Sequence, residues 1–178
     1  MTSLTAPAAV LFDRDDTLIV NVPYNGDPEA VVPMPTVRTA LDRLRAAGVR
    51  LGVVTNQSGI ARGIITKEQV DAVNRRVEEL LGPFDAWQVC PHGPDDACRC
   101  RKPLPGLITD AARDLGLDPD RVAVIGDIGS DMEAAAAAGA RGILVPTPVT
   151  LPAEVASARE VAATIDEAVT ALLPRRDR

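Results

Sequence analysis

The sequence is poor in aromatic residues, in histidine and in an excess of positive charge. Its 178 residues include two Phe, one Tyr, one Trp and a single His. With so few aromatic side chains, a platform that stacks nucleic-acid bases is not expected. Lys and Arg number 19 against 25 Asp and Glu, which gives a formal net charge of −6. This balance argues against the broad basic surface that non-specific nucleic-acid binding requires.

The chain also lacks a long apolar run and a basic leader. No apolar run approaches the length that crosses a bilayer. The N-terminal residues MTSLTAPAAVLFD contain no Lys or Arg and lead into a predicted strand, so a secretory signal is not expected. We expect a cytoplasmic protein that binds neither membranes nor nucleic acid. Its length, with 46% hydrophobic and 25% charged residues, fits one globular domain.

Short apolar runs alternate with helical patterns along the chain. The predicted strands are 8–12, 51–54, 86–89, 122–125 and 143–145. Helix starts are predicted at Thr66, where Gln69 completes a capping box, and at Ser130 and Thr164. This alternation predicts a doubly wound α/β fold with a parallel sheet. We expect a single domain over 1–178, with a frayed tail from about residue 174 to residue 178.

Polar side chains follow four of the predicted strands, and in such folds these positions meet at one edge of the sheet. The groups are Asp13, Arg14 and Asp15 after the first strand, 55–58 (TNQS) after the second, Arg101 and Lys102 after the third, and Asp127 and Asp131 after the fourth. Crowded carboxylates suit Mg²⁺ bound together with a phosphate. A hydroxyl group, the N–H groups of a Ser-Gly turn and a lysine suit the phosphate itself. The set favours phosphoryl transfer.

All three cysteines and the only histidine lie in one segment, CPHGPDDACRCRKP, residues 90–103. Cys90, His92, Cys98 and Cys100 make a complete tetrahedral set for structural zinc, and we call residues 90–100 the zinc loop. Disulfides explain the pattern poorly, because the count is odd and two of the cysteines are too close for a relaxed bridge. A metal-free loop descended from a metal-bound one is the alternative. Because Lys102 follows the last ligand by two residues, zinc would anchor the backbone that presents Arg101 and Lys102.

Four segments resemble the motifs of the haloacid dehalogenase superfamily of aspartate-nucleophile phosphatases. They are FDRDDTL (12–18), VVTN (53–56), RKP (101–103) and IGDIGSD (125–131). TNQSGIARG (55–63) and the zinc loop are also similar to a capless subgroup. This subgroup contains the D-glycero-D-manno-heptose 1,7-bisphosphate phosphatases and the histidinol-phosphate phosphatase domain. The resemblance implies a Rossmann-like single domain with a zinc-bound loop and no separate cap.

The resemblance also implies roles for individual residues. Asp13 would be the nucleophile, and Asp15 would protonate the leaving oxygen and later deprotonate water. Thr55 and Lys102 would hold the transferring phosphoryl group. Magnesium would be bound by the carboxylates of Asp13 and Asp127 and by the backbone carbonyl of Asp15, with Asp131 supporting the site from behind. We further expect the substrate to contact Arg14, Tyr24, Asn56, Gln57, Ser58 and Arg101.

The predicted function is Mg-dependent phosphomonoester hydrolysis through an aspartyl-phosphate. The expected substrate is D-glycero-D-manno-heptose 1,7-bisphosphate, at its 7-phosphate, or a related sugar phosphate, and a monomer is expected. The alternatives are a histidinol-phosphate phosphatase and a zinc-stabilised phosphate-binding protein without turnover. Two residues depart from the subgroup pattern. Asp16 stands where glycine is usual, and Ile128 stands where the heptose enzymes have a lysine.

Overall fold

The computed structural model describes residues 6–173, which form five strands and six α-helices. The strands are β1 (Ala9–Phe12), β2 (Arg50–Asn56), β3 (Ala86–Cys90), β4 (Val122–Gly126) and β5 (Arg141–Leu144). The helices are α1 (Val37–Ala46), α2 (Lys67–Leu81), α3 (Gly106–Asp114), α4 (Gly129–Ala138), α5 (Pro152–Ser157) and α6 (Ile165–Leu172). This alternation confirms the predicted α/β fold. The predicted frayed tail, 174–178, lies outside the described residues.

All five strands are parallel and lie in the order β3-β2-β1-β4-β5. The chain builds outward from β1 to β3 on one side and then crosses over to build β4 and β5 on the other. Phe12, the last residue of β1, is paired with Val53 in β2 and with Ile125 in β4. Ligands of doubly wound sheets bind where the order reverses, outside the carboxyl ends of the strands. In this chain that position lies at the end of β1, between β2 and β4.

Helices cover both faces of the sheet, and β1 shows how its sequence divides between them. Val10 and Phe12 face one cluster of buried residues, and Ala9 and Leu11 face the other. The first cluster is completed by apolar residues of α1, α2 and α6, and the second by apolar residues of α3 and α4. Because both faces are buried, β1 is a continuous apolar run rather than an alternating one. The two layers fix the carboxyl ends of the central strands.

Two of the three predicted helix caps agree with the structure. Thr66 and Gln69 form the reciprocal capping box of α2, and Thr164 accepts a hydrogen bond from the N–H of Glu167 in α6. The prediction for Ser130 is wrong, because α4 begins one residue earlier, at Gly129. The sequence signal failed there because carboxylates occupy the helix start instead. Glu154 accepts from the N–H of Gly129, and Asp131 accepts from the N–H groups that precede it.

Among residues 6–173, no helix combines the length and apolar character that a membrane crossing requires.

Candidate active site and metal centres

The carboxyl ends of β1, β2 and β4 bring the predicted catalytic side chains to one place. Asp13 directly follows β1, and its N–H donates to the carbonyl of Ile125 in β4. Thr55 is the last residue but one of β2, and Asp127 directly follows β4. Since β1 is paired with both neighbours in register, these three residues meet beside one another. Asp13, Thr55 and Asp127 are all buried.

Lys102 joins the first of these groups from the loop after β3. Its ammonium group donates to the Asp13 carboxylate at 2.8 Å, to the Asp131 carboxylate at 2.6 Å and to the Val54 carbonyl at 3.0 Å. Three acceptors match its three N–H donors, so the buried cation is fully hydrogen-bonded. Burial acts to lower the pKa of Lys102, but the charges of Asp13 and Asp131 outweigh it and raise the pKa. Lys102 is therefore a fixed positive charge against the Asp13 carboxylate.

One lysine does not neutralise the three buried carboxylates around it. Burial raises the pKa of Asp13 to about 6, with Lys102 opposing the rise and Asp131 and Asp15 adding to it. Burial raises the pKa of Asp127 to about 9, and the nearby charges of Asp13 and Asp131 contribute. Buried carboxylates that repel one another take up protons or bind a cation. The site therefore has a deficit of positive charge.

The acidic cluster has the donor set and spacing for a hard divalent cation. Asp13, Asp127 and Asp131 each place one carboxylate oxygen within 4.8 Å of the others. Both oxygens of Asp131 already accept hydrogen bonds, one from Lys102 and the other from the N–H groups of Asp127 and Ile128. Gly126 makes this packing possible, since a Cβ atom there would lie 2.4 Å from the Asp131 carboxylate. The arrangement leaves Asp13 and Asp127 as the carboxylates better able to bind Mg²⁺.

Asp15 lies at the mouth of the site and accepts hydrogen bonds from two side chains. The Arg14 guanidinium group reaches both of its carboxylate oxygens, at 3.1 to 3.3 Å. The amide of Gln57 donates to Asp15 at 2.9 Å and to the Thr55 hydroxyl at 2.9 Å. Gln57 therefore links the group predicted to transfer protons with the group predicted to hold the phosphate. Arg14 itself is 1% exposed, and its guanidinium N–H groups are directed to Asp15 and to Asn74.

Asn56 holds the backbone of Lys102 rather than facing the opening. Its amide nitrogen donates to the Lys102 carbonyl at 3.2 Å, and its amide oxygen accepts from the Lys102 N–H at 3.1 Å. This reciprocal pair connects the end of β2 to the segment after the zinc loop across 46 residues of sequence. The sequence predicts that Asn56 contacts the substrate; in the structure its side chain fixes the residue that carries the ammonium group.

The remaining residues predicted to bind substrate, Tyr24, Ser58 and Arg101, are exposed or half-buried. The Tyr24 hydroxyl accepts from Arg62 at 3.0 Å, and the Tyr24 ring lies against Gly59. Ser58 is half-buried and begins the turn in which its carbonyl accepts from the Arg62 N–H. The Arg101 guanidinium group donates to the carbonyl of His92 at 3.3 Å. Tyr24 and Ser58 thus both belong to the contacts of the turn after β2, and Arg101 is attached to the zinc loop.

The zinc loop brings the four predicted ligands together. One donor atom from each of Cys90, His92, Cys98 and Cys100 lies within 4.8 Å of the others. The Cys90 sulfur lies 3.9 Å from that of Cys98 and 2.7 Å from that of Cys100, and His92 Nδ1 lies 3.2 Å from the Cys100 sulfur. All three cysteines are free thiols. Burial raises the pKa of Cys90 to about 12, a cost that a bound Zn²⁺ would remove by holding the thiolate. The donor set fits a closed tetrahedral zinc site.

The zinc loop is also attached to the phosphate side of the site. The Gln57 N–H donates to the Cys90 carbonyl at 2.7 Å, and the Ala61 N–H donates to the Pro91 carbonyl at 3.2 Å. On the other side, α3 packs so closely that a Cβ atom on Gly106 would lie 2.2 Å from the Arg99 carbonyl. The loop is therefore held between the turn after β2 and the start of α3, with Lys102 leaving it toward Asp13.

Several residues that support the site were not identified from the sequence. Thr17 donates to the Asp127 carboxylate at 3.3 Å, and Thr150 donates to the Asp127 carbonyl at 2.7 Å. Asn74 of α2 accepts from Arg14 at 2.8 Å. Asn74 could have been identified from the sequence, since it is a polar residue at an apolar-face position of α2, four residues after the buried Val70. Nothing in the sequence indicated Thr150, because it is distant from Asp127 in sequence and lies in a loop.

The two departures from the subgroup pattern have structural counterparts. Asp16 has φ of 60°, in the left-handed region that favours glycine. This conformation explains why glycine suits the position, and Asp is among the residues that tolerate it. The Ile128 side chain is 37% exposed immediately after Asp127. It therefore places an apolar group at the position where the resemblance expects a lysine.

Comparison with known proteins identifies relatives over most of the chain. A HAD-hydrolase-like family model matches residues 99–171. A D-glycero-beta-D-manno-heptose-1,7-bisphosphate 7-phosphatase of Bordetella bronchiseptica is 38% identical over 145 residues, which cover 78% of this chain and 80% of the relative. The enzyme of the same name from Rhodopseudomonas palustris is 40% identical over 147 residues, covering 76% and 81%.

A solved structure agrees with these sequence relationships. The crystal structure of D,D-heptose 1,7-bisphosphate phosphatase from B. bronchiseptica, complexed with magnesium and phosphate, superimposes with a TM-score of 0.82 and 31% identity. The match covers 92% of this chain and 97% of that one. The resemblance expected from the four motifs is confirmed. The chain belongs to the haloacid dehalogenase-like hydrolases, in the family of the D-glycero-beta-D-manno-heptose-1,7-bisphosphate 7-phosphatases.

Proposed function

We propose that the protein hydrolyses a phosphomonoester in two steps through an aspartyl-phosphate on Asp13. The observation that carries the proposal is the buried Asp13 carboxylate, held at 2.8 Å by Lys102 within a cluster of carboxylates. A carboxylate is a weak nucleophile until its surroundings align it and exclude water. Lys102 occupies one oxygen of Asp13 and fixes the side chain, so the other oxygen is left to attack phosphorus.

In the first step, the Asp13 oxygen bonds to phosphorus as the ester P–O bond breaks, and the Asp15 carboxyl group gives its proton to the leaving oxygen. In the second step, a water molecule attacks phosphorus and gives a proton to Asp15. The Asp13–phosphorus bond then breaks and inorganic phosphate leaves. Asp15 suits this role because it is partly exposed, lies two residues after Asp13 in sequence and is not bonded to Lys102. General acid–base catalysis of this kind contributes about 10²- to 10⁴-fold to the rate.

Thr55 and Lys102 serve the transferring phosphoryl group. The Thr55 hydroxyl accepts its hydrogen bond from Gln57, which leaves its own proton to donate to a phosphate oxygen. Lys102 offsets the negative charge of Asp13 and of the phosphate together. A phosphate also suits the N–H groups of the Ser58–Gly59 turn. Preorganised donors of this kind stabilise charge that develops in the transition state.

We propose that Mg²⁺ is held by Asp13, Asp127 and the backbone carbonyl of Asp15, with Asp131 behind them. When bound, Mg²⁺ polarises the phosphoryl oxygens and offsets their charge. The raised pKa values of Asp13 and Asp127 support this assignment, because they report a site that lacks positive charge. The occurrence of magnesium and phosphate in the related B. bronchiseptica structure supports it independently.

We propose a structural zinc ion at Cys90, His92, Cys98 and Cys100. Closing this loop with a metal offsets the entropy of holding it in one shape. The loop leads directly into Lys102, whose backbone is also held by Asn56. Zinc would thus act on catalysis through the position of the Lys102 ammonium group.

The proposed substrate is the 7-phosphate of D-glycero-beta-D-manno-heptose 1,7-bisphosphate. The names of relatives that are 36–40% identical support this choice. Ile128 bears on it directly, since a bisphosphate substrate carries a second anionic group that a lysine at this position would bind. Ile128 does not supply that charge, so we assign the second anionic group to Arg101, the residue before Lys102.

The test measures phosphate release by zinc-loaded protein with Mg²⁺ present, using heptose 1,7-bisphosphate and histidinol phosphate as substrates. We expect turnover of the bisphosphate at least about tenfold more efficient, with loss of activity in Asp13→Asn. Asp118→Asn, an exposed carboxylate far along the chain, is the matched control and should retain activity. Acid quenching followed by mass spectrometry should find a phosphoryl group on Asp13. Preference for histidinol phosphate would reassign the substrate, and equal rates for wild type and Asp13→Asn would refute the enzymatic proposal.

A further inference from the structure

Arg14 carries a positive charge into the protein interior at a place where packing alone does not call for one. The residue is 1% exposed and ranks among the largest fully buried side chains. A buried cation is strongly destabilising unless it is well paired, and apolar replacements of buried ion pairs are often neutral. The presence of an arginine between Asp13 and Asp15 therefore needs an explanation in terms of its partners.

The Arg14 guanidinium group is clamped from two sides. Nη2 and Nε face Asp15, and between them they contact both of its carboxylate oxygens at 3.1 to 3.3 Å. Nη1 donates to the side-chain oxygen of Asn74 at 2.8 Å. Asn74 lies on α2, 60 residues away in sequence, so its position is set by the packing of that helix against the sheet. A planar guanidinium group that is itself held by Asn74 fixes the orientation of the carboxylate that it binds.

We propose that Arg14 is a positioning residue, which with Asn74 behind it aims the Asp15 carboxyl group at the leaving oxygen and then at the attacking water. The inference rests on the proposed function. It assigns Arg14 to the proton-transferring group rather than to the substrate. Gln57 contacts only one of the two Asp15 oxygens and leaves the group free to rotate, whereas the fork fixes both. Misplacing a catalytic group by about 1 Å can cost roughly 10²-fold in rate.

The leaving group of the substrate should decide how strongly the loss of Arg14 slows the first step. Breaking an alkyl phosphate ester requires a proton from Asp15, because an alkoxide is a poor leaving group. Breaking p-nitrophenyl phosphate does not, because p-nitrophenolate leaves as a stable anion. Hydrolysis of the aspartyl-phosphate requires Asp15 with either substrate, since the attacking water must give up a proton. Loss of the Arg14 guanidinium group should therefore slow every step that needs Asp15. Only the first step with p-nitrophenyl phosphate should keep its rate.

The experiment compares Arg14→Met and Arg14→Lys with wild type, using heptose 1,7-bisphosphate and p-nitrophenyl phosphate. In Arg14→Met we expect kcat/KM for the bisphosphate to fall about 10²-fold. For p-nitrophenyl phosphate, kcat/KM should stay within about threefold, while kcat falls and a burst of p-nitrophenol marks accumulation of the aspartyl-phosphate. Arg14→Lys keeps the charge but not the fork, so an intermediate loss is expected. Arg75→Met, an exposed arginine of α2, is the control.

Asn74→Leu keeps the test decisive if the Arg14 variants fail to fold, because it leaves Arg14 in place and removes only the hydrogen bond behind it. It should show the same selectivity at smaller amplitude. Equal losses in kcat/KM for both substrates would mean a structural role and would overturn the proposal, as would full activity in Arg14→Lys. Failure of the proposed function would be seen differently, as wild-type phosphate release no faster than that of Asp13→Asn.

Discussion

Removing magnesium should make the stability of this protein fall as the pH rises from 6 to 8. The reason is Asp127, whose pKa burial and neighbouring charges raise from 3.8 to about 9. In the folded metal-free protein this carboxyl group keeps its proton throughout that range, whereas in the unfolded chain it is ionised. Folding therefore requires a proton, and it becomes less favourable as protons become scarcer.

The size of the effect follows from that difference of one proton. Each pH unit changes the free energy of unfolding by about 1.4 kcal/mol, so the rise from pH 6 to pH 8 should cost about 3 kcal/mol. Asp13 adds little in this range, because its raised pKa of about 6 places its own contribution at lower pH. Bound Mg²⁺ would replace the proton as the neutralising charge. With saturating Mg²⁺ the pH dependence should flatten and stability at pH 8 should increase.

Urea unfolding of zinc-loaded protein, with and without Mg²⁺, measures this slope. Asp127→Asn is the matched variant, since its side chain has nearly the same size and does not titrate. The variant should lose the slope without magnesium and should gain little stability when magnesium is added. The reasoning would be falsified if the slope without magnesium stayed the same after magnesium is added and in Asp127→Asn. The buried carboxylates would then be neutralised by something other than a proton or a metal ion.

Other consequences of the structure can be tested separately. Asn56→Ala removes both hydrogen bonds to the Lys102 backbone, so kcat should fall about tenfold while Mg²⁺ affinity is unchanged; equal loss of both would contradict a role confined to Lys102. Removing zinc, or Cys98→Ser, should lower Tm by about 10 °C, the effect of roughly 3 kcal/mol in a domain of this size, and reduce kcat as well. The anchoring role would be refuted if protein that metal analysis shows to be free of zinc kept full activity and an unchanged Tm. Asp16→Gly should keep activity within about twofold and not lower Tm, because glycine adopts the left-handed conformation at no steric cost.

The cysteine–histidine cluster and the acidic cluster could be predicted from the sequence because their chemistry is local or specific. Cysteines and a histidine within eleven residues have few other uses, and Asp13 and Asp127 follow apolar runs that only buried strands explain. The parallel sheet could be predicted from the alternation of strands and helices along the chain. Right-handed strand–helix–strand units can be combined in only a few ways.

Contacts between distant segments could not be predicted in this way. The sequence suggested that Arg14 and Asn56 meet the substrate, but their direction depends on what packs around them. Arg14 turns inward because Asn74 of α2 and Asp15 accept its hydrogen bonds, and Asn56 turns toward the Lys102 backbone. Thr150 likewise reaches Asp127 only because β5 lies next to β4.

The sequence by itself determined which chemical groups stand at the strand ends, because burial of an apolar run places the next polar residue at the edge of the sheet. The tertiary structure alone decided how those groups are charged and aimed. Charge depends on burial and on the distances to other charges, and direction depends on hydrogen-bond partners from remote segments. Asp127 shows this difference most clearly: its position can be inferred from the strand before it, but its raised pKa arises only when the fold buries it and β1 and α4 bring Asp13 and Asp131 beside it.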